Sequence, residues 1–143
     1  MRKKIVLCPY CGNRAKFWYD SSPIFGENRG PHYNCDPCQA YVGCHRGHGG
    51  KTPLGTLAKY ELRRERIAAH RAFDPLWQSG YLSRDGAYAV LCDRMQLSAA
   101  ECHIAMMDED QCRKVVRICR QITSGRLKQA LVKAKFNPQG LLT

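Results

Sequence analysis

The sequence predicts an α+β fold, with short antiparallel strands in residues 1–52 and helices in the rest of the chain. Two observations lead to this prediction. Residues 1–52 contain every closely spaced cysteine pair, most of the glycines and the aromatic segment FWYDSSPIF, a composition that suits strands and turns. Beyond Pro53, apolar residues recur at helical spacing among many Lys, Arg and Glu residues.

Two CxxC pairs in residues 1–52 predict a metal site. CPYC and CDPC are separated by 23 residues, which a β-hairpin through KFWYD and PHYN would span. A two-residue gap lets both sulfurs of a pair turn toward one point, and two pairs complete the tetrahedral thiolate shell that zinc prefers. A redox dithiol is the alternative, but it is expected as a single CxxC within a βαβ pattern, which is missing here. We therefore predict a four-cysteine zinc ribbon with one structural zinc on Cys8, Cys11, Cys35 and Cys38.

Three more potential ligands follow the second pair, namely Cys44, His45 and His48. With a distant ligand they are candidates for a second zinc site. The alternative is that Cys44 lies in a strand after AYVG and that the histidines lie in an exposed loop. The same loop ends in GGKT, but a phosphate-binding P-loop is excluded because His45 stands where its first glycine belongs.

Helical patterns begin near Leu57 and continue to a break at Asp74-Pro75, because a residue before proline disfavours the helical region. Further helix starts are predicted at the N-cap Ser83, at the S-x-x-E capping box SAAE, at Asp108 and at Ser124. The run AYAVLCDRMQLSAAECHI resembles a helix-turn-helix. Its second helix lacks the Arg, Asn or Gln that usually read bases, so we expect these helices to pack for stability.

These signals divide the chain into three predicted segments. A zinc ribbon occupies residues 1–52, a long, basic linking helix residues 53–77, and a small helical bundle with a helix-turn-helix-like region residues 78–143. The boundary at Pro53 follows the change in composition, and the second boundary follows the predicted helix break.

The formal net charge of +11 favours polyanionic partners, of which nucleic acid is the commonest in a cytosol. Four zinc-bound thiolates would lower that charge to about +9. Trp18 and its aromatic neighbours are predicted to stack bases, or alternatively to cover the small core of the ribbon. The residues predicted to contact nucleic acid or a partner protein are Arg14, Lys16, Trp18, Arg46, Lys51, Arg63, Arg64 and Arg66.

Catalysis is not predicted, because the twelve acidic residues form no cluster that would hold a catalytic metal. A metal-dependent nuclease is the least favoured alternative. No apolar run approaches the ~20 residues that cross a bilayer, and MRKKIVLC has too short an apolar stretch for a secretion signal. We therefore expect a cytoplasmic protein, without a membrane partner, whose reduced thiols are free to bind metal.

Several motifs occur in an order that resembles one family. They are CPYCG, YNCDPCQAYVGCHRG, PLGTLA, RxxAHRAFDPLW and AY…ECHIAMMD…C. The family consists of small zinc-finger-containing proteins of bacteriophages and mobile elements. The resemblance implies a zinc ribbon joined to a helical region, a phage or prophage origin and a bacterial host. It implies no reaction, so function must be argued from the site.

The predicted function is that of a non-catalytic zinc-binding protein that contacts nucleic acid or a nucleoprotein complex through a basic surface. The alternative is a phage-encoded inhibitor of a host protein complex, such as a CRISPR defence complex or a polymerase. The two differ in their response to salt. Phosphate contacts weaken steeply as salt rises, whereas a mainly apolar protein interface changes little.

Overall fold

A three-stranded antiparallel sheet forms the centre of the N-terminal part of the protein. The computed structural model describes residues 5–135, and the side chains of all of these except His48 and residues 126–135. The strands lie in chain order across the sheet. They are β1 (Lys16–Trp18), β2 (His32–Cys35) and β3 (Ala40–Gly43). The predicted hairpin between the first two strands is confirmed, and its connection contains a short helix, α1 (Ser22–Phe25).

The two faces of the sheet have different roles because side chains alternate along a strand. Phe17 pairs with Tyr33, and Tyr33 pairs with Val42, so all three lie on one face. This face, with Leu57 and the buried cysteines of the CxxC pairs, forms the ribbon core. Lys16, Trp18 and Tyr41 lie on the opposite face by the same alternation.

Residues 53–58 pair with the edge of the sheet and are not helical. Pro53 bridges Cys44, and Ala58 bridges Tyr41, whose carbonyl accepts the Ala58 N–H at 3.0 Å. The first long helix therefore begins three residues later than the predicted start near Leu57. This pairing also covers the edge of the sheet, which protects the protein because exposed strand edges favour aggregation.

Four α-helices follow within residues 59–135. They are α2 (Tyr60–Phe73), α3 (Pro75–Gln78), α4 (Arg84–Met95) and α5 (Glu109–Lys135). The predicted break at Asp74-Pro75 is confirmed by the boundary between α2 and α3. Ser83 caps α4 as predicted, and its hydroxyl accepts the Gly86 N–H at 3.0 Å. The separate helix predicted at Ser124 is wrong, because α5 runs through that residue without interruption.

The helix-turn-helix prediction is also wrong. The capping box forms its side-chain contacts, including Ser98 Oγ to Glu101 Oε1 at 2.7 Å. However, the chain makes only one turn there, becomes extended at His103 and continues as a 3-10 turn at Ile104–Met106. The backbone of this 3-10 turn is hydrogen-bonded to a distant segment, because the Ala105 carbonyl accepts the Thr56 N–H at 3.1 Å. A longer helix at this site would lose that contact.

The contacts of the chain define two units: Met1–Ile67 with His103–Glu109, and Ala68–Cys102 with Asp110–Thr143. The second unit has its own apolar core, in which Phe73 packs edge-on against Tyr88 with ring centroids 4.7 Å apart. The predicted boundaries at residues 52 and 77 stay a prediction. The α+β class with a zinc-ribbon-like start is confirmed. Within the described residues, no helix is long and apolar enough to cross a membrane.

Candidate metal centre and outer groove

The first CxxC pair lies in a tight turn. The Cys8 N–H donates to the Asn13 carbonyl at 2.8 Å, and the Gly12 N–H donates to the Cys8 carbonyl at 2.8 Å. Gly12 has a φ of 76°, in the left-handed region that glycine enters without the steric cost of a Cβ atom. The chain can therefore turn back directly after Cys11.

The second CxxC pair also lies in a turn, between two strands. Cys35 ends β2, and the turn closes through the Gln39 N–H, which donates to the Asp36 carbonyl at 3.1 Å. Gln39 follows Cys38 as Gly12 follows Cys11, and it also lies in the left-handed region, with a φ of 54°. A residue with a Cβ atom is strained there by about 1–2 kcal/mol.

The four cysteines of the two turns, which we call the ribbon cysteines, converge on one point. Their sulfur atoms all lie within 4.8 Å of one another, and the sulfurs of Cys11 and Cys35 are 3.7 Å apart. A Zn–S bond of about 2.3 Å places the sulfurs of a tetrahedral site about 3.8 Å apart. A disulfide would instead need about 2.0 Å. The sulfur geometry therefore fits zinc, and the ribbon cysteines Cys8, Cys11, Cys35 and Cys38 form a site for one structural zinc.

The thiols of the metal-free site differ in acidity. A hydrogen bond from the Asn13 backbone N–H lowers the pKa of Cys11 to about 7. Burial and the neighbouring thiols raise the pKa of Cys38 to about 12. The Cys38 backbone N–H lowers the pKa of Cys35, but burial and the thiols of Cys11 and Cys8 outweigh it and the net shift is upward. Zinc must therefore displace protons at neutral pH.

The surroundings of the site indicate a structural metal. Cys8 and Cys35 are 1% and 4% exposed and belong to the ribbon core, together with Tyr33, Val42 and Leu57. So small a core supplies little stability alone, and zinc binding then contributes directly to folding. Four thiolates also fill the tetrahedral shell, which leaves no position for a water molecule or a substrate.

Comparison with protein families supports this interpretation. A family model, DUF3268, described as a zinc-finger-containing domain, matches residues 4–122. The chain belongs to this family. Its description names a zinc finger and no reaction. No curated protein and no solved structure matches the chain significantly.

The candidates for a second zinc in this zinc-finger-containing domain are not brought together as the ribbon cysteines are. Cys44 is half-buried against the ribbon core, and burial raises its pKa. His45 is exposed, and its N–H donates to the Thr52 carbonyl at 2.8 Å. Among the described side chains, only the ribbon cysteines are close enough to share a metal. The side chain of His48 lies outside that description, so the second zinc stays a prediction.

Three of the predicted contact residues come together in a groove of about 760 Å³ on the sheet face opposite the ribbon core. Lys16 and Trp18 reach it from β1, and Arg63 reaches it from α2. We call it the outer groove and define it by six of its residues, Lys16, Trp18, Phe25, Tyr41, Lys59 and Arg63.

Aromatic rings and cations are paired in the outer groove. The Lys16 ammonium lies 4.1 Å from the centroid of the Trp18 ring, and the Arg63 guanidinium lies 3.8 Å from that of Tyr41. Arg63 also donates to the Ala58 carbonyl, which fixes it over the ring. Phe25 meets Tyr41 edge-on, with centroids 4.9 Å apart.

The other predicted contact residues lie elsewhere. Arg14 and Lys51 line a smaller groove of about 440 Å³, and Arg46 and Arg64 are exposed. Arg66 has a structural role, donating to the carbonyl of Thr56 at 2.8 Å, its hydroxyl at 2.6 Å and the Met107 carbonyl at 3.1 Å. The contact roles of these residues stay a prediction.

Three of the six residues that define the outer groove, Phe25, Tyr41 and Lys59, were missed by sequence reasoning. Tyr41 alternates with the buried Ala40 and Val42, a signal that would have placed it on the opposite face. Lys59 has no such signal. Its backbone N–H donates to the Tyr10 hydroxyl at 3.1 Å, and its ammonium lies 4.6 Å from the Tyr10 ring. These contacts join residues 49 positions apart in the chain.

Proposed function

We propose that this zinc-finger-containing domain binds single-stranded nucleic acid in the outer groove and that its zinc holds the groove in shape. The observation that carries the proposal is the pairing of aromatic rings with cations in one open groove. Proteins that bind single strands combine stacking platforms with positive charge in this way. Bases contribute about 1–3 kcal/mol each when they stack on an aromatic side chain.

Trp18 is the main stacking platform in this proposal. Its ring is half-buried, and no described residue accepts a hydrogen bond from its buried Nε1–H. An unpaired buried donor costs about 1–3 kcal/mol, so phenylalanine would serve packing better at this position. An indole is favoured there if its large ring stacks a base. Arg63 offers a second platform, because a guanidinium plane also stacks bases.

Zinc acts indirectly in this proposal. Cys38 lies in the wall of the outer groove, and Lys59 is bound to Tyr10, which stands between Cys8 and Cys11. Loss of zinc would release both turns and with them the groove. The metal itself would contact no nucleic acid, since its four ligand positions are filled by sulfur.

The test compares Trp18→Ala with Tyr19→Ala in the zinc-loaded full-length chain. Tyr19 is an exposed neighbour outside the outer groove and serves as the matched control. Fluorescence anisotropy with a labelled single-stranded oligonucleotide should show about 5- to 150-fold weaker binding for Trp18→Ala, the equivalent of one stacked base. Tyr19→Ala should bind like the wild type. Equal affinity of both variants, at unchanged zinc content, would exclude the outer groove as the binding site.

A protein partner is the second candidate, and the charges of the outer groove favour it in one respect. Asp36 and Glu61 also line the groove, and their carboxylates would repel phosphate but accept hydrogen bonds from a peptide. With the phage origin that the sequence motifs suggest, such a protein would be an inhibitor of a host complex. Stable binding of a host protein that persists at high salt, without any oligonucleotide binding, would favour this candidate.

A further inference from the structure

The positive charge of the protein is concentrated in α5. Between Arg113 and Lys135 the sequence contains eight Lys and Arg residues and no Asp or Glu. In contrast, the described residues of the first unit contain nine basic and seven acidic residues. A zinc with four thiolates adds a charge of about −2, so this part of the first unit is close to neutral. The phosphate attraction expected from the net charge must then come largely from elsewhere.

Three arginines form a stripe on the exposed side of α5. Arg113, Arg117 and Arg120 stand at i, i+4 and i+7, so they share one face of the helix, and all three are exposed. The opposite face is buried and includes Cys112 and Val115, both 0% exposed. The three arginine side chains are therefore accessible to a ligand, and they project from a helix whose opposite face is packed.

The stripe is unfavourable for the helix itself. Like charges three or four residues apart on a helix repel each other and destabilise it. Arg113 is offset by Asp110, at 2.5 Å, but Arg117 and Arg120 have no acidic residue three or four positions away. The helix dipole does not explain them either, because it favours cations only in the last turn, which lies well beyond Arg120.

We propose that the stripe formed by Arg113, Arg117 and Arg120 binds the phosphodiester backbone of nucleic acid without reading its sequence. At 1.5 Å of rise per residue the three arginines span about 10 Å of helix, which suits two or three successive phosphates. Arginine matches phosphate oxygens with a planar set of donors. This inference goes beyond the proposed function and would hold even if the outer groove bound nothing.

The test measures affinity for one labelled single-stranded oligonucleotide over a range of salt concentrations. Arg117→Gln/Arg120→Gln is compared with Arg71→Gln/Arg94→Gln, which removes two exposed charges from other helices of the same unit. Each lost phosphate contact should reduce the slope of log affinity against log salt by about 0.7, so the stripe variant should lose about 1.4. The control should keep the wild-type slope.

Three outcomes would overturn the inference. They are an unchanged slope in the stripe variant, an equal reduction in the control, and loss of binding to anionic phospholipid vesicles without any change in oligonucleotide binding. The outer groove is tested separately by Trp18→Ala, which should weaken binding at every salt concentration and leave the slope unchanged. A wild-type response to Trp18→Ala combined with a reduced slope in the stripe variant would reject the proposed function and support the stripe.

Discussion

Replacing Gly12 by alanine tests the geometry of the zinc site through backbone strain alone. A Cβ atom at Gly12 would meet no other atom within 4 Å, so the substitution introduces no clash. The cost comes from the φ of 76°, which strains an alanine by about 1–2 kcal/mol. Alanine also restricts the unfolded chain, which raises the free energy of unfolding by about 0.4–1 kcal/mol. The net destabilisation should be about 1 kcal/mol.

Because zinc binding and folding of the ribbon are coupled, this loss should appear as about fivefold weaker zinc binding. Competition with a colorimetric zinc chelator measures it directly. Gly12→Asn is the control, since asparagine tolerates the left-handed region better and should stay closer to the wild type. Zinc affinity that is equal in the alanine variant and the wild type would refute the left-handed turn at this position and the turn geometry derived from it.

Four further predictions concern the metal, the close approach at Gly55 and the continuity of α5. Zinc affinity should fall by more than about one hundredfold per pH unit below neutral pH, because at least two thiols are protonated in the metal-free site. Chelator competition at several pH values measures this dependence, and a shallower one would contradict the prediction. Native mass spectrometry should find one zinc in the wild type and in Cys44→Ser but none in Cys35→Ser; two zincs in the wild type, falling to one in Cys44→Ser, would instead establish the second site. Gly55→Ala should destabilise the first unit by about 3 kcal/mol in urea unfolding, because its Cβ would lie 2.0 Å from the Ala105 carbonyl oxygen. Gly125→Ala, inside α5 with no atom within 4 Å of its Cβ, should instead raise the free energy of unfolding by about 1 kcal/mol. A lower free energy of unfolding in this variant would argue against a continuous helix.

Sequence reasoning was most successful where a feature depends on residues close together in the chain. The two CxxC turns, the break before Pro75 and the cap at Ser83 each arise from a few neighbouring residues. Their hydrogen bonds and steric limits are the same in almost any fold. The zinc site combines two such turns, and the chemistry of four thiolates required them to meet.

Other features that depend on distant residues were not predicted. The capping box after α4 has the local signal of a helix start, but the carbonyl of Ala105 binds the N–H of Thr56, and Gly55 allows the close approach. That hydrogen bond joins residues far apart in the chain, so no local pattern contains it. The continuity of α5 was missed for a related reason. Gly125 weakens a helix by about 1 kcal/mol, which a long helix packed on a core tolerates.

The sequence by itself determined that this protein binds zinc through Cys8, Cys11, Cys35 and Cys38, and that strands precede helices. Only the tertiary structure decided which side chains share the outer groove and which arginines are committed to structure. Arg63 and Arg66 are three residues apart on one helix, yet one stacks on Tyr41 and the other binds the backbone at Thr56 and Met107. The sequence pattern does not distinguish the two arginines, because the role of a cationic side chain depends on the hydrogen-bond acceptors and aromatic rings that folding places beside it.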